Sequence, residues 1–171
     1  MDEELRAELL ARWEEDQRVR RALSPPPGPF REIPDEVREL MRIDEANTAW
    51  LTELIAWHGW PGRTLVGEDG AHAAWLLAQH ADPQSQPIFL DLLRAAVAAG
   101  EASARDLAYL EDRVRVHAGQ PQRYGTQFIQ DARGLRASPI EDPENLDQRR
   151  ACMGLGPFAD HEALMRGEGG S

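Results

Sequence analysis

The hydrophobic positions of this chain recur at intervals of three and four residues over most of its length, which is the period of amphipathic helices. Clusters of proline and glycine interrupt the pattern and mark where helices should end. The pattern predicts an N-terminal helix over residues 2–23, a proline-rich linker over 24–33, a loop at 61–70, and further helices over 34–58, 71–81, 84–99 and 104–117. The 71–81 segment is apolar nearly all round, which is typical of a buried central helix.

The pattern changes after residue 119, where alternating positions rich in strand formers replace the helical period. Gly134 is a turn signal between two such runs, so a β-hairpin is expected there. The pattern predicts strands over 123–129 and 135–140, short helices over 143–152 and 157–166, and a frayed tail at 167–171. The predicted fold is therefore mainly α. It is a single-domain bundle of five to seven helices, residues 1–171, with one small hairpin in the C-terminal third.

Composition narrows the possible functions. The chain has 171 residues and a formal charge of −11 at pH 7, so repulsion from phosphate argues against a nucleic-acid partner. It contains no lysine, which excludes Schiff-base chemistry, attachment of pyridoxal phosphate and a P-loop. Cys152 is the only cysteine, which excludes an intrachain disulfide and a cysteine-cluster zinc site.

The chain also lacks the features of a membrane or secreted protein. No apolar run approaches the ~18 residues that a membrane helix needs, and the acidic N-terminus has no apolar signal-peptide core. We therefore expect a soluble, cytoplasmic protein with no membrane partner. The sequence leaves the oligomeric state open.

Candidate chemistry lies where polar residues interrupt the apolar stripes of the predicted helices. Each such residue would cost about 1–3 kcal/mol if it were buried without a partner. Several interruptions in one small protein therefore indicate either a shared polar network or a binding pocket. The residues are Asp16, Gln17 and Arg20 in the first helix, Asp44 and Asn47 in the second, Gln79 and His80 in the third, and Tyr109, Asp112 and Arg113 in the fifth.

His80 is the leading candidate for a catalytic residue. It ends the buried helix, and Asp82 follows two residues later. A histidine oriented by a carboxylate can act as a general base or as a metal ligand. Asp82 or Asp112 would orient the ring. The structural alternative is a histidine that caps the helix and packs against its neighbours.

A metal site has little support in the sequence. His80 and Asp82 would need His58 or His117 as a third ligand, and no spacing in the chain matches a known metal motif. No metal is therefore assigned, and no cofactor is expected.

Two further groups of polar residues are candidates for ligand contacts. In a strand over 123–129, Tyr124 would share one face with Thr126 and Gln127 would lie on the other. Arg149 and Arg150 can clamp a carboxylate or a phosphate, although an ion-pair face within one helix is the commoner use of such a pair.

Short motifs follow one another in a distinctive order between residues 9 and 156. They are Asp16-Gln17, Asp44-x-x-Asn47, Gly59-Trp60-Pro61, Val66-Gly67, Gln79-His80-Ala81-Asp82, Gly100-Glu101, Ala108-Tyr109-Leu110-x-Asp112-Arg113, Tyr124-Gly125-Thr126-Gln127 and Asp147-x-Arg149-Arg150. This order resembles an uncharacterised bacterial family, the domain-of-unknown-function family numbered sixty-six twenty-four. The resemblance implies a stand-alone bacterial domain and carries no established activity. Because the motif residues are largely those that interrupt the apolar stripes, it favours a common site.

Two hypotheses of function follow. The first is a small-ligand pocket or a metal-independent acid/base enzyme of hydrolase, isomerase or lyase type. Its catalytic residues would be His80, Asp82, Asp112 and Tyr124, and its ligand contacts Asp44, Asn47, Gln79, Arg113, Gln127, Arg149 and Arg150, with an arginine holding an anionic group of the substrate. The second is a non-catalytic interaction protein that binds a protein partner and whose polar network is structural.

Overall fold

The computed structural model describes residues 1–23, 33–131 and 134–167. Over these ranges it contains seven α-helices, one short 3₁₀ turn and a two-stranded antiparallel hairpin, which confirms the predicted mainly α fold. The helices are α1 (Glu3–Ala22), α2 (Asp35–His58), α3 (Arg63–His80), α4 (Gln86–Ala98), α5 (Ala104–His117), α6 (Leu146–Cys152) and α7 (Phe158–Met165); the strands are β1 (Phe128–Asp131) and β2 (Gly134–Ala137). No helix in the described ranges is both long and apolar enough to cross a bilayer.

The chain divides into two compact units, Met1–Ala102 and Ser103–Ser171. In the first unit α3 packs against α1, α2 and α4. The wholly buried side chains of this unit include Leu9 of α1, Leu77 of α3 and Leu93 of α4. The second unit holds α5 to α7 and the hairpin. The expectation of one domain over residues 1–171 stays a prediction, and the proline-rich segment 24–32 and the tail 168–171 lie outside the described residues.

The predicted loop at 61–70 is wrong, because α3 begins at Arg63. Glu101 caps this helix from 37 residues away: its carboxylate accepts hydrogen bonds from the backbone N–H of Thr64 at 2.8 Å and from the Thr64 hydroxyl at 2.6 Å. Gly67 has φ +77° and kinks the helix, a conformation that glycine adopts without strain. A cap supplied by a residue so distant in the sequence leaves no local signal, so the glycine-rich segment resembles a loop.

The predicted strand over 123–129 is also wrong in position. The hairpin begins only at Phe128, which pairs with Ala137, and the second strand ends there rather than at residue 140. Gly125 has φ +69°, which lies outside the extended region of a regular strand. Tyr124 and Thr126 therefore do not share a strand face. The segment before β1 is an irregular turn whose backbone N–H groups donate to the side chain of Asp112.

Candidate functional site

The first unit buries one carboxylate on the core face of α1. Leu9, Asp16 and Val19 are the buried residues of this helix, at the spacing that places them on one stripe. Asp16 is 0% exposed. A charge in this position needs partners, because burying an unpaired carboxylate costs several kcal/mol.

His80, the last residue of α3, is the principal partner of Asp16. Its Nδ1 lies 3.1 Å from both carboxylate oxygens of Asp16. In the neutral ring this contact puts the proton on Nδ1, since the ionised carboxylate can only accept. Nε2 then carries the lone pair, and no described residue forms a hydrogen bond with Nε2.

Arg20 joins Asp16 to a second carboxylate. It lies one helical turn after Asp16, and its Nε is 3.0 and 3.1 Å from the two Asp16 oxygens. Its Nη2 donates to Oδ1 of Asp44 on α2 at 2.5 Å. Gln17 completes the set by donating from Nε2 to Oδ2 of Asp16 at 2.9 Å. Three helices thus converge on one Asp–Arg–Asp–His cluster.

The two carboxylates of this cluster are shifted in opposite directions. Burial alone would raise the pKa of Asp16, but the hydrogen bond and charge of His80, together with the charge of Arg20, hold the pKa of Asp16 below its ordinary value. Burial raises the pKa of Asp44, and Arg20 offsets only part of that rise. Paired groups with diverging pKa values are typical of acid–base sites, although structural ion networks produce them too.

A pocket of about 920 Å³ opens beside this cluster. Its lining includes His80, Asp44 and other residues of α2, and the turn that follows α3. The His80 side chain is 16% exposed, whereas its partner Asp16 is fully enclosed. The volume falls in the range of known small-molecule sites.

The same cluster has the donor atoms of a small cation site. One ligand atom each of Asp16, Asp44 and His80 lies within 4.8 Å of the others. The Arg20 guanidinium, however, already hydrogen-bonds both carboxylates. A metal ion here would have to displace an internal cation, so these residues fit a metal poorly.

The structure accounts differently for the other predicted residues of the first unit. Asp82 accepts hydrogen bonds from the backbone N–H groups of Gln84 and Ser85 and from the Ser85 hydroxyl at 2.7–2.9 Å, so it holds the turn before α4 and not the His80 ring. Asn47 is buried one turn after Asp44, and its Oδ1 accepts from Nη1 of Arg12 at 3.1 Å. Gln79 is buried, and its backbone carbonyl accepts a hydrogen bond from Nε2 of Gln86 at 3.0 Å.

Asp112 is the centre of a separate network in the second unit. It is 0% exposed, and its two oxygens accept from the backbone N–H groups of Arg123, Tyr124 and Thr126 and from the Thr126 hydroxyl, at 2.6–3.1 Å. Burial raises the pKa of Asp112, and these hydrogen bonds oppose the rise. Every acceptor position of this carboxylate is therefore directed at the turn before β1.

The remaining predicted residues of the second unit surround the same turn. Gln127 donates from Nε2 to the Thr126 hydroxyl at 3.0 Å, and its backbone N–H donates to Gln122. Tyr124 is buried, and burial raises its pKa. Arg113 lies half-buried on α5.

The arginine pair of α6 also binds mainly to backbone carbonyl groups. Arg149 donates to the carbonyls of Arg123 and Asp142 at 3.0 and 2.9 Å and pairs with the Asp142 carboxylate at 3.2 Å. Arg150 donates to the carbonyls of Tyr124 and Gly156 at 2.5 and 2.7 Å. These contacts fix loops around α6.

Asp16 and Arg20 are not among the site residues predicted from the sequence. Both interrupt the apolar stripe of α1, four residues apart, which is the spacing of a helical ion pair. That signal suggests a surface pair, and only the burial of Asp16 shows that it belongs to an interior cluster.

The fold and the cluster together define a mainly α-helical protein in which an Asp–Arg–Asp–His group, built around the buried carboxylate of Asp16, lies beside a pocket. The chain belongs to the Family of unknown function (DUF6624), whose family model matches residues 3–170. This finding confirms the family resemblance of the motifs. No curated protein and no solved structure matches the chain.

Proposed function

We propose that the pocket of the first unit binds a small molecule and that His80 transfers protons there, without a metal. One observation carries this proposal. Nδ1 of His80 is held by a buried carboxylate, while the ring lines a pocket and its Nε2 has no partner among the described residues. A histidine that is hydrogen-bonded by an orienting carboxylate through one ring nitrogen, with the other nitrogen free, is the arrangement found in general-base histidines.

The chemistry follows from the proton positions. Nε2 of His80 accepts a proton from a water or from the ligand, and the imidazolium that forms is stabilised by ionised Asp16. A carboxylate oxygen of Asp44 lies within 4.8 Å of a ring nitrogen of His80, and burial raises the pKa of Asp44. Asp44 is therefore a second group beside the pocket that can take up a proton. Two proton-transfer groups this close suit hydrolysis, isomerisation or elimination.

The acidic groups that line the pocket restrict the charge of the ligand it can bind. Besides His80, the ionisable groups that line it among the described residues are the carboxylates of Asp44, Glu45, Glu53 and Asp82. A neutral or positively charged ligand therefore suits the pocket better than the anionic one that the sequence analysis favours.

The direct test is hydrolysis of an activated ester, p-nitrophenyl acetate, by the full chain. We expect His80→Gln to hydrolyse the ester well below the wild-type rate, because glutamine can still donate to Asp16 but cannot accept a proton. His58→Gln is the matched control, since His58 is exposed at the end of α2 and outside the pocket lining. Equal rates for the wild type and His80→Gln would contradict the proposal.

The second candidate is a non-catalytic interaction protein whose polar clusters are structural. The Asp112 network favours it, because that buried carboxylate is fully used in holding one turn. The two candidates differ in the stability of His80→Ala. The acid–base proposal predicts a loss of about 1 kcal/mol or less in the free energy of unfolding, since Asp16 keeps Arg20 and Gln17. The structural candidate predicts a loss of a few kcal/mol, which chemical denaturation would detect.

A further inference from the structure

Arg150 is a buried cation with no counter-ion at hydrogen-bond distance within the described ranges. It is 2% exposed, and its Nε and Nη1 donate to backbone carbonyls. Among the residues that the structure describes, no carboxylate forms an ion pair with it. Asp112 and Asp147 act on its charge from farther away, and both accept hydrogen bonds from backbone N–H groups. Burial lowers the pKa of Arg150 but leaves the guanidinium charged at neutral pH.

Arg150 lines a small pocket within the second unit. The pocket has a volume of about 190 Å³, and α5, α6, α7 and the segment before α7 supply its walls. Arg105 and Tyr109 of α5 belong to the lining, and Leu155 and Leu164 give the pocket apolar surface. The volume is below the roughly 300 Å³ at which drug-sized ligand sites begin, so only a small ligand fits.

His161 adds a second unsatisfied group to the same pocket. Its Nε2 is buried and has no hydrogen-bond partner among the residues that the structure describes, although buried polar atoms are nearly always paired. The ring packs edge-on against Tyr109 and Phe128. Burial and the charges of Arg150 and Arg105 lower the pKa of His161, so the ring is neutral at pH 7 and contributes hydrogen bonding rather than charge.

We propose that this pocket binds a small monocarboxylate with a compact apolar body. The lining carries two arginines and one carboxylate, Asp160, which leaves one positive charge for the ligand to neutralise. A planar carboxylate fits the geometry of a guanidinium, and its single negative charge balances the net charge of the pocket. A phosphate dianion would leave an excess negative charge. This proposal is independent of the His80 pocket.

The experiment is an NMR titration of the ¹⁵N-labelled full chain with benzoate and with benzamide, its uncharged isostere. We expect benzoate to shift the amides of Gly156, Asp160 and His161 in a saturable way, and benzamide to leave them unchanged. Saturation by both compounds would overturn the proposal, as would the absence of saturation by benzoate up to tens of millimolar.

Arg105→Ala tests the site without disturbing the fold. Arg105 is exposed, whereas Arg150 holds two carbonyls and its replacement would disrupt the loops it binds. We expect Arg105→Ala to weaken benzoate binding roughly tenfold, the size of one charge-assisted hydrogen bond. Arg136→Ala, which removes an arginine outside the pocket lining, is the control and should bind like the wild type. Equal affinities for Arg105→Ala and the wild type would overturn the proposal.

Discussion

Asp16→Asn is expected to lower the free energy of unfolding by about 3 kcal/mol and to abolish the part of the ester hydrolysis that depends on His80. Asparagine keeps the shape of the side chain but places an amide N–H₂ among the donors of Arg20, Gln17 and His80. At least one donor then loses its acceptor inside the protein, and Arg20 loses half of its charge compensation. The magnitude is that of breaking a buried ion pair from one side, discounted for the partial exposure of Arg20. Chemical denaturation and the p-nitrophenyl acetate assay measure the two effects.

The stability lost in Asp16→Asn should become smaller as the pH falls. Because the folded-state pKa of Asp16 is below its ordinary value, its ionisation contributes stability that is present above about pH 4. That contribution disappears as the pH falls through the folded pKa. The difference in stability between the wild type and Asp16→Asn should therefore narrow below about pH 4.

Asp44→Asn is the matched control for this prediction. Burial raises the pKa of Asp44, so its ionised form is disfavoured in the folded protein and its neutralisation costs little. We expect a change of about 1 kcal/mol or less, with the amide oxygen still accepting from Arg20. If the two variants lost equal stability, the distinct role assigned to Asp16 would be wrong.

Asp112→Asn is expected to destabilise the protein by a similar amount, about 3 kcal/mol, through a different mechanism. Both oxygens of Asp112 accept backbone N–H groups of the turn before β1. Replacing either oxygen by an N–H₂ group leaves at least one N–H of Arg123, Tyr124 or Thr126 buried and unpaired. Amide hydrogen exchange should show the loss of protection at these three residues.

Glu144→Gln serves as the control for Asp112→Asn. Glu144 is an exposed acid of the same unit, so its amide variant should match the wild type within about 0.5 kcal/mol. An Asp112→Asn protein as stable as Glu144→Gln would show that the turn does not depend on this carboxylate.

Local periodicity was sufficient to predict most of the helices. The boundaries of α2 and α5 follow from apolar stripes that end at Gly59 and shortly before Gly119, both of which have positive φ. The start of α3 and the position of β1 were not predictable in this way. Each depends on a carboxylate far away in the sequence, Glu101 for α3 and Asp112 for the turn before β1.

The candidate site was predictable only in outline. The polar interruptions of the apolar stripes indicated His80 and Asp44, both of which the structure places in one cluster. The orienting carboxylate was not foreseen, because Asp82 is close to His80 in sequence whereas Asp16 is 64 residues away. Which face of α1 is buried against α3 decides this pairing, and sequence spacing within one helix cannot show it.

The claim that His80 presents a free base to the pocket is tested most directly by the protonation of its ring nitrogens. Long-range ¹H–¹⁵N NMR spectra, assigned with His80→Gln, distinguish the two neutral tautomers. We predict that neutral His80 carries its proton on Nδ1, hydrogen-bonded to Asp16, with the lone pair on Nε2. A neutral ring protonated on Nε2 would contradict it, because such a ring could neither donate to Asp16 nor accept a proton from a ligand.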